Sequence, residues 1–162
     1  MLARRQSVTV VVFLELATLL SFAGDDPLKA LDHRLYLIAG EGASNCGIVP
    51  VKQSPRDANR CVRKALSAKK AFYVRYDLPS MDSSVGAGLA GNTDGDVFLV
   101  EFDTLGFTPG MQKSNEKLLD DGHSIVEECP KPIRVREPGF LGRGLTCLRP
   151  SKNPPGEIMS PK

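Results

Sequence analysis

Residues 54–103 constrain the fold more than any other stretch: a helical pattern runs directly into three extended patterns separated by turns. Ser54 stands before Pro55, an N-cap residue followed by the residue best suited to the first helical position. Asp57 lies in the first turn, where a carboxylate favours the helix dipole. Ala58, Cys61, Val62, Ala65 and Leu66 then recur at offsets of three and four, which makes one apolar stripe. Arg56, Arg60, Arg63, Lys64, Lys69 and Lys70 lie mainly off it. The spacing predicts a helix over residues 55–69.

Phe72, Val74 and Tyr76 alternate with Tyr73, Arg75 and Asp77, a period of two that predicts a strand with one face buried. Leu78, Pro79 and Ser80 break it. Val85, Ala87 and Leu89 alternate with Gly86, Gly88 and Ala90, a strand of small residues over which the helix backbone can approach closely. Residues 91–95 form a turn cluster, and residues 96–103 resume extended structure with Phe98, Val100 and Phe102 on one face. The resulting expectation is an α+β fold, one main helix packed across an antiparallel meander sheet of about four to six strands.

The N-terminal residues read as a targeting signal, not as part of that fold. Arg4 and Arg5 form a positive region, an apolar stretch follows over residues 8–22, and Ser21 and Ala23 place small residues at the sites a signal peptidase reads. Cleavage is expected after Ala23. Glu15 interrupts the apolar stretch, so an uncleaved anchor is the alternative. A twin-arginine signal is disfavoured because Gln6, Ser7 and Val8 follow the arginines without the usual bulky apolar pair. A net charge of +2 over 162 residues is too small to imply a nucleic acid or an anionic membrane as partner.

Cys46, Cys61, Cys129 and Cys147 fit export, because an even cysteine count in an exported chain implies disulfides. Closeness in sequence favours Cys46 with Cys61 and Cys129 with Cys147. The first pair would pin the segment before the helix onto its stripe, and the second would staple a C-terminal hairpin. Each closes a loop of roughly 15 residues or slightly more, worth about 3 kcal/mol. A zinc site fails on spacing, since neither pair has the short separation zinc ligands show, and only His33 and His123 add nitrogen.

The remaining chain divides simply. In residues 24–45, Asp26 and Pro27 start a short helix with Leu28, Leu31, Leu35 and Ile38 along one side and Gly40 ending it, although residues 35–38 also suit a strand. Residues 46–51 read as a short extended lead into the main helix, with Pro50 arguing against a central strand. Residues 104–122 read as an irregular surface crossing. Short strands follow at residues 123–128, around Ile133 and Val135, and at residues 145–148. The disulfide-stapled domain spans residues 46–149, and residues 150–162 form a disordered Pro-rich tail.

Three motifs carry less than they first suggest. Residues 86–91 match G-x-G-x-x-G, but the dinucleotide motif needs a helix opening at its third glycine, and Gly91 runs into a turn. Asn92, Asp94 and Asp96 lack the spaced glutamate of a calcium loop. Asp82, Ser83, Ser84 and His123 contain the residue types of a hydrolase triad, but no nucleophile elbow accompanies them. No cofactor, metal ligand or catalytic residue is therefore assigned. Tyr73, Arg75 and Asp77 are expected to share the sheet face opposite the helix with Glu101 and Asp103, joined by Arg134 and Arg136. Such a face is either a solvated charge ladder or a flat polar surface for another protein.

The run Asn59-Arg-Cys-Val-Arg-Lys-Ala-Leu66, residues 71–77, Asp82-Ser83, Gly95-Asp-Val-Phe98, Glu128-Cys-Pro130 and Thr146-Cys147 resembles a group of small exported bacterial proteins of uncharacterised function. That resemblance covers residues 46–148 and implies paired cysteines and bacterial export, without an activity to transfer. The helix-on-meander outline is similar to cystatin-like inhibitor and binding domains, an analogy of outline. The expected function is a non-catalytic module, in the periplasm or secreted, that binds another protein or a cell-envelope component and has no membrane attachment after signal cleavage. A small extracytoplasmic hydrolase and a purely structural envelope protein are the alternatives. A deep pocket gathering His123, a serine and an acid would favour the hydrolase.

Overall fold

The structure, a computed structural model, describes residues 26–108, 116–119, 121–139 and 142–148. The expected signal at residues 1–23 and tail at residues 150–162 lie outside the described residues. Helix α1 is Lys29–Ala39, strand β1 Ser44–Val49, helix α2 Arg56–Ser67, β2 Phe72–Leu78, β3 Val85–Gly91 and β4 Val97–Asp103. β5 is Glu116–Leu118, β6 Ser124–Glu128, β7 Val135–Arg136 and β8 Thr146–Cys147. The main sheet has six strands in the order β1-β2-β3-β4-β6-β5, and β7 pairs with β8 alone. Every neighbouring pair in the main sheet is antiparallel except β1 with β2. The α+β class and the strand number agree with the sequence pattern.

Helix α2 begins at Arg56, whose amide meets the Ser54 hydroxyl at 3.4 Å. It ends earlier than expected, in a Schellman arrangement without glycine. Lys70 N–H donates to the Ala65 carbonyl and Lys69 N–H to the Leu66 carbonyl, with Lys69 itself at φ +51°. The apolar side of α2 packs through Val62 against Phe72, Val74, Tyr76 and Leu89. Cys61 bonds to Cys46 on β1 with Cα atoms 5.5 Å apart, which fastens the edge strand to the helix. Val49 is the last residue of that strand, and Pro50 follows it outside the sheet, where a missing N–H costs no ladder bond.

The second face of the sheet is covered as well. Helix α1 lies over it, with Leu31 and Leu35 fully buried against Ala90, Val100 and Phe102. Gly86 and Gly88 allow this approach. A Cβ on Gly86 would sit 2.7 Å from Leu31 Cδ2, and one on Gly88 would run into the Leu35 methyls and lie 2.5 Å from the Val74 carbonyl oxygen. The small-residue strand thus does serve close helix approach, but for α1 and not for the main helix. The chain is layered helix, sheet, helix, with a buried core on each side of the sheet.

The second disulfide, Cys129 with Cys147, joins the chain just after β6 to β8, with Cα atoms 5.6 Å apart. It therefore ties the two-stranded sheet to the main one, where a local hairpin staple was expected. Arg143, in the same C-terminal stretch, donates to the carbonyls of Pro50, Val51 and Gln53 between β1 and α2. Gly144 lies directly on the ring of Tyr76, where a Cβ would be 2.6 Å from two ring carbons. No helix among the described residues is long and apolar enough to cross a membrane.

Candidate functional site

Strand register decides what the expected polar face becomes. Tyr73 pairs with Ala90, Arg75 with Gly88 and Asp77 with Gly86, so these three side chains share the face that α1 covers. Across β3, Ala90 pairs with Phe98, Gly88 with Val100 and Gly86 with Phe102. Phe98, Val100 and Phe102 therefore lie on the α1 face, and Glu101 and Asp103, alternating with them, lie on the other. The structure does not bring Glu101 and Asp103 together with Tyr73, Arg75 and Asp77. Arg136 lies on β7 in the separate small sheet, and Arg134 immediately precedes it.

The α1 side of that face is closed, not flat. Tyr73 meets Tyr36 of α1 edge-on, with ring centroids 6.1 Å apart. Burial is the main cause that raises the Tyr73 phenol pKa, followed by the nearby Asp32 and Tyr36. The Arg75 side chain is 4% exposed and forms ion pairs with Asp26 at 2.8 Å and Asp77 at 2.9 Å. Its guanidinium also donates to the Leu28 carbonyl at 3.2 Å. Asp26 accepts from the amide of Leu28, the residue just before α1, at 3.0 Å, so one carboxylate ties the start of the helix to the buried arginine. Burial raises the Asp26 pKa, but hydrogen bonds from Arg75 and Leu28 and the charges of Arg75 and Lys29 hold it below its ordinary value. Arg75 is a tether for α1, which removes it from any open surface.

What the helix leaves uncovered is more suited to binding. α1 sits over the glycines of β3, while the sheet extends past it through β6 to β5. The strip between them is a groove of about 640 Å³. Its α1 wall is Ala30, His33, Arg34, Leu37 and Ile38, and its floor and far wall are Phe98, Val126, Glu128, Lys117 and Leu119. Leu37, at the rim of this apolar cleft, is 63% exposed. Arg34 on the α1 wall is held by an ion pair to Asp121 at 2.7 Å. The volume falls within the range of about 300–1,000 Å³ typical of ligand pockets, and an apolar lining with few polar groups is the usual composition. The sequence marks none of these ten residues as a binding site. The one available signal was Leu37, an apolar residue outside the stripe that α1 buries.

Two smaller clefts contain the motifs that resembled active sites. One of about 400 Å³ lies at the turn from the end of β2 to the start of β3, lined by Asp26, Asp77, Ser80, Ser83 and Ser84 among others. His123 is not part of its lining. Its Nδ1 is 3.0 Å from the Asp103 carbonyl, its ring lies 6.2 Å from that of Phe102, and the Ser83 hydroxyl pairs with Ser80 at 2.9 Å. The other, about 380 Å³, lies between the end of α2 and the turn joining β3 to β4. There Asn92 accepts from the amides of Asp94 and Asp96, and Lys131 pairs with Asp96 at 2.6 Å. The hydrogen bond from Lys131 is the first cause that lowers the Asp96 pKa. The glycine motif ends within β3, and Gly91 leads into this turn and not into a helix.

Comparison with protein-family models, with curated proteins and with solved structures found no match to this chain. The two cysteine pairs and the helix preceding a sheet are present as the resemblance implied.

Proposed function

We propose that the protein is a non-catalytic binding module that works outside the cytoplasm and seats its ligand in the groove between α1 and β5–β6. The observation that carries this reading is the groove itself, an apolar cleft of ligand size bordered by an exposed leucine. The partner is a cell-envelope component or another protein that presents an apolar group. Two disulfides support an oxidising compartment. An N-terminal segment with the composition of a cleavable signal, ending at Ala23, supports bacterial export as the route.

The neutral dye Nile red tests the groove without assuming a charge on the ligand. The expected result is saturable binding of one dye per chain with a blue-shifted emission. Ala30→Trp, at an exposed helix position lining the groove, fills the cleft and abolishes that binding while the circular dichroism spectrum is retained. Absence of saturable binding, or binding unchanged by Ala30→Trp, overturns the assignment.

A further inference from the structure

We infer that the ligand of this groove is a single-chain amphiphilic carboxylate, its aliphatic chain along α1 and its head group at Lys117. The inference rests on the reading of the groove as a binding site and goes on to its ligand chemistry. The apolar lining is contributed by Ala30, Leu37, Ile38, Phe98, Leu119 and Val126. Eight residue steps from Ala30 to Ile38 give the cleft a length of about 12 Å along the helix axis, which suits an extended chain of about ten carbons.

The polar groups then decide the head. Arg34 is engaged with Asp121. Glu128 lies on the sheet row of Phe98, where Lys131 is close enough to feel its charge. Lys117 is directly across from Val126 in the β5–β6 pairing, on a strand that ends the sheet. No acidic side chain among the described residues lies within ion-pair distance of it. A lysine beside an apolar floor attracts an anionic head and repels a cationic one. It offers a neutral chain nothing beyond its own stem. Lysine on a short edge strand also discourages pairing with other chains, and the experiment separates the two roles.

The measurement is displacement of dansylaminoundecanoic acid from the full mature chain by decanoate, decanol and decyltrimethylammonium. Decanoate is expected to compete best, decanol several-fold more weakly, and the cation not at all. Because Lys117 is exposed, Lys117→Ala should weaken decanoate by only about five-fold, in proportion to a solvent-facing ion pair. Lys117→Arg, which keeps the positive charge, should hold decanoate within about two-fold of the wild-type affinity. Raising the salt concentration should erase the difference between decanoate and decanol. If Nile red binds but decanoate and decanol compete equally, and Lys117→Ala changes neither, the groove stands and the carboxylate assignment falls. If neither the dye nor decanoate binds, both fall. Aggregation of Lys117→Ala with unaltered decanoate affinity would assign Lys117 to edge protection alone.

Discussion

Replacing Arg75 with methionine should release α1 from the sheet. The guanidinium is nearly inaccessible, and it holds two carboxylates and a backbone carbonyl. Hydrogen bonds to charged groups are worth about 1.5–3 kcal/mol each when buried. Breaking a fully buried pair costs about 3–5 kcal/mol, because a charge is left without a partner. Here the loss is smaller: the Asp26 side chain is 45% exposed and the Asp77 side chain 20%, so water resolvates much of both. Methionine also keeps the packing of the stem. The expected loss is about 2–3 kcal/mol, read as a lower urea midpoint by circular dichroism, with Tm lower by about 6–12 °C. The pH dependence follows from Asp26. Its folded pKa lies below the ordinary 3.8, so its contribution is complete above that value and is lost as the pH falls through the folded value. The gap between wild type and Arg75→Met should therefore be full at neutral pH and narrow in acid below about 3.8. A loss under about 0.5 kcal/mol, or a gap that does not narrow in acid, would refute the tether.

Gly88→Ala should destabilise by about 2 kcal/mol despite the gain in strand preference, since the new methyl meets Leu35 and the Val74 carbonyl; combining it with Leu35→Ala should give a non-additive total in a double-mutant cycle. Tyr76→Phe leaves the buried Asn59 Oδ1 without the phenol that donates to it at 2.7 Å, and should cost about 1–2 kcal/mol in urea unfolding. Burial is the chief cause that raises the Tyr76 pKa, so wild-type stability should fall as pH rises past the phenol's ordinary 10.0, and less so in Tyr76→Phe. Lys69→Gly should stabilise by about 0.5–1 kcal/mol, because Lys69 holds the left-handed position that ends α2. Loss of stability in that variant would contradict the Schellman ending.

The elements of the central stretch were legible because each shows its period on one side. α2 has its stripe, β2 alternates, and the cysteines nearest in sequence are those bonded. The faces were not legible. Arg75 in an alternating strand reads as solvated, yet it is buried and paired with carboxylates at Asp26 and Asp77, the first of which lies just before the sequence-distant helix α1. β4 held the missed signal: Val97, Phe98, Leu99 and Val100 form a continuous apolar run, which is the mark of burial on both faces. Gly86 and Gly88, two residues apart, empty one face of β3 and so point to a helix above it. Reading those two features together would have turned Glu101 and Asp103 away from Tyr73. Beyond Leu37, the groove was not legible, since its walls come from α1, β4, β5 and β6, and only the stacking of α1 on the glycines brings them together.

That stacking is what the rest of the account depends on, and nuclear Overhauser contacts report it directly. With Leu35 methyls packed onto the Gly88 backbone, strong cross-peaks are expected between the Leu35 δ-methyl protons and the Gly88 α-protons, together with contacts between the rings of Tyr36 and Tyr73. A spectrum in which the Leu35 methyls show no contact to β3 and the Tyr73 ring shows none to Tyr36 would contradict the layered arrangement and the groove built upon it.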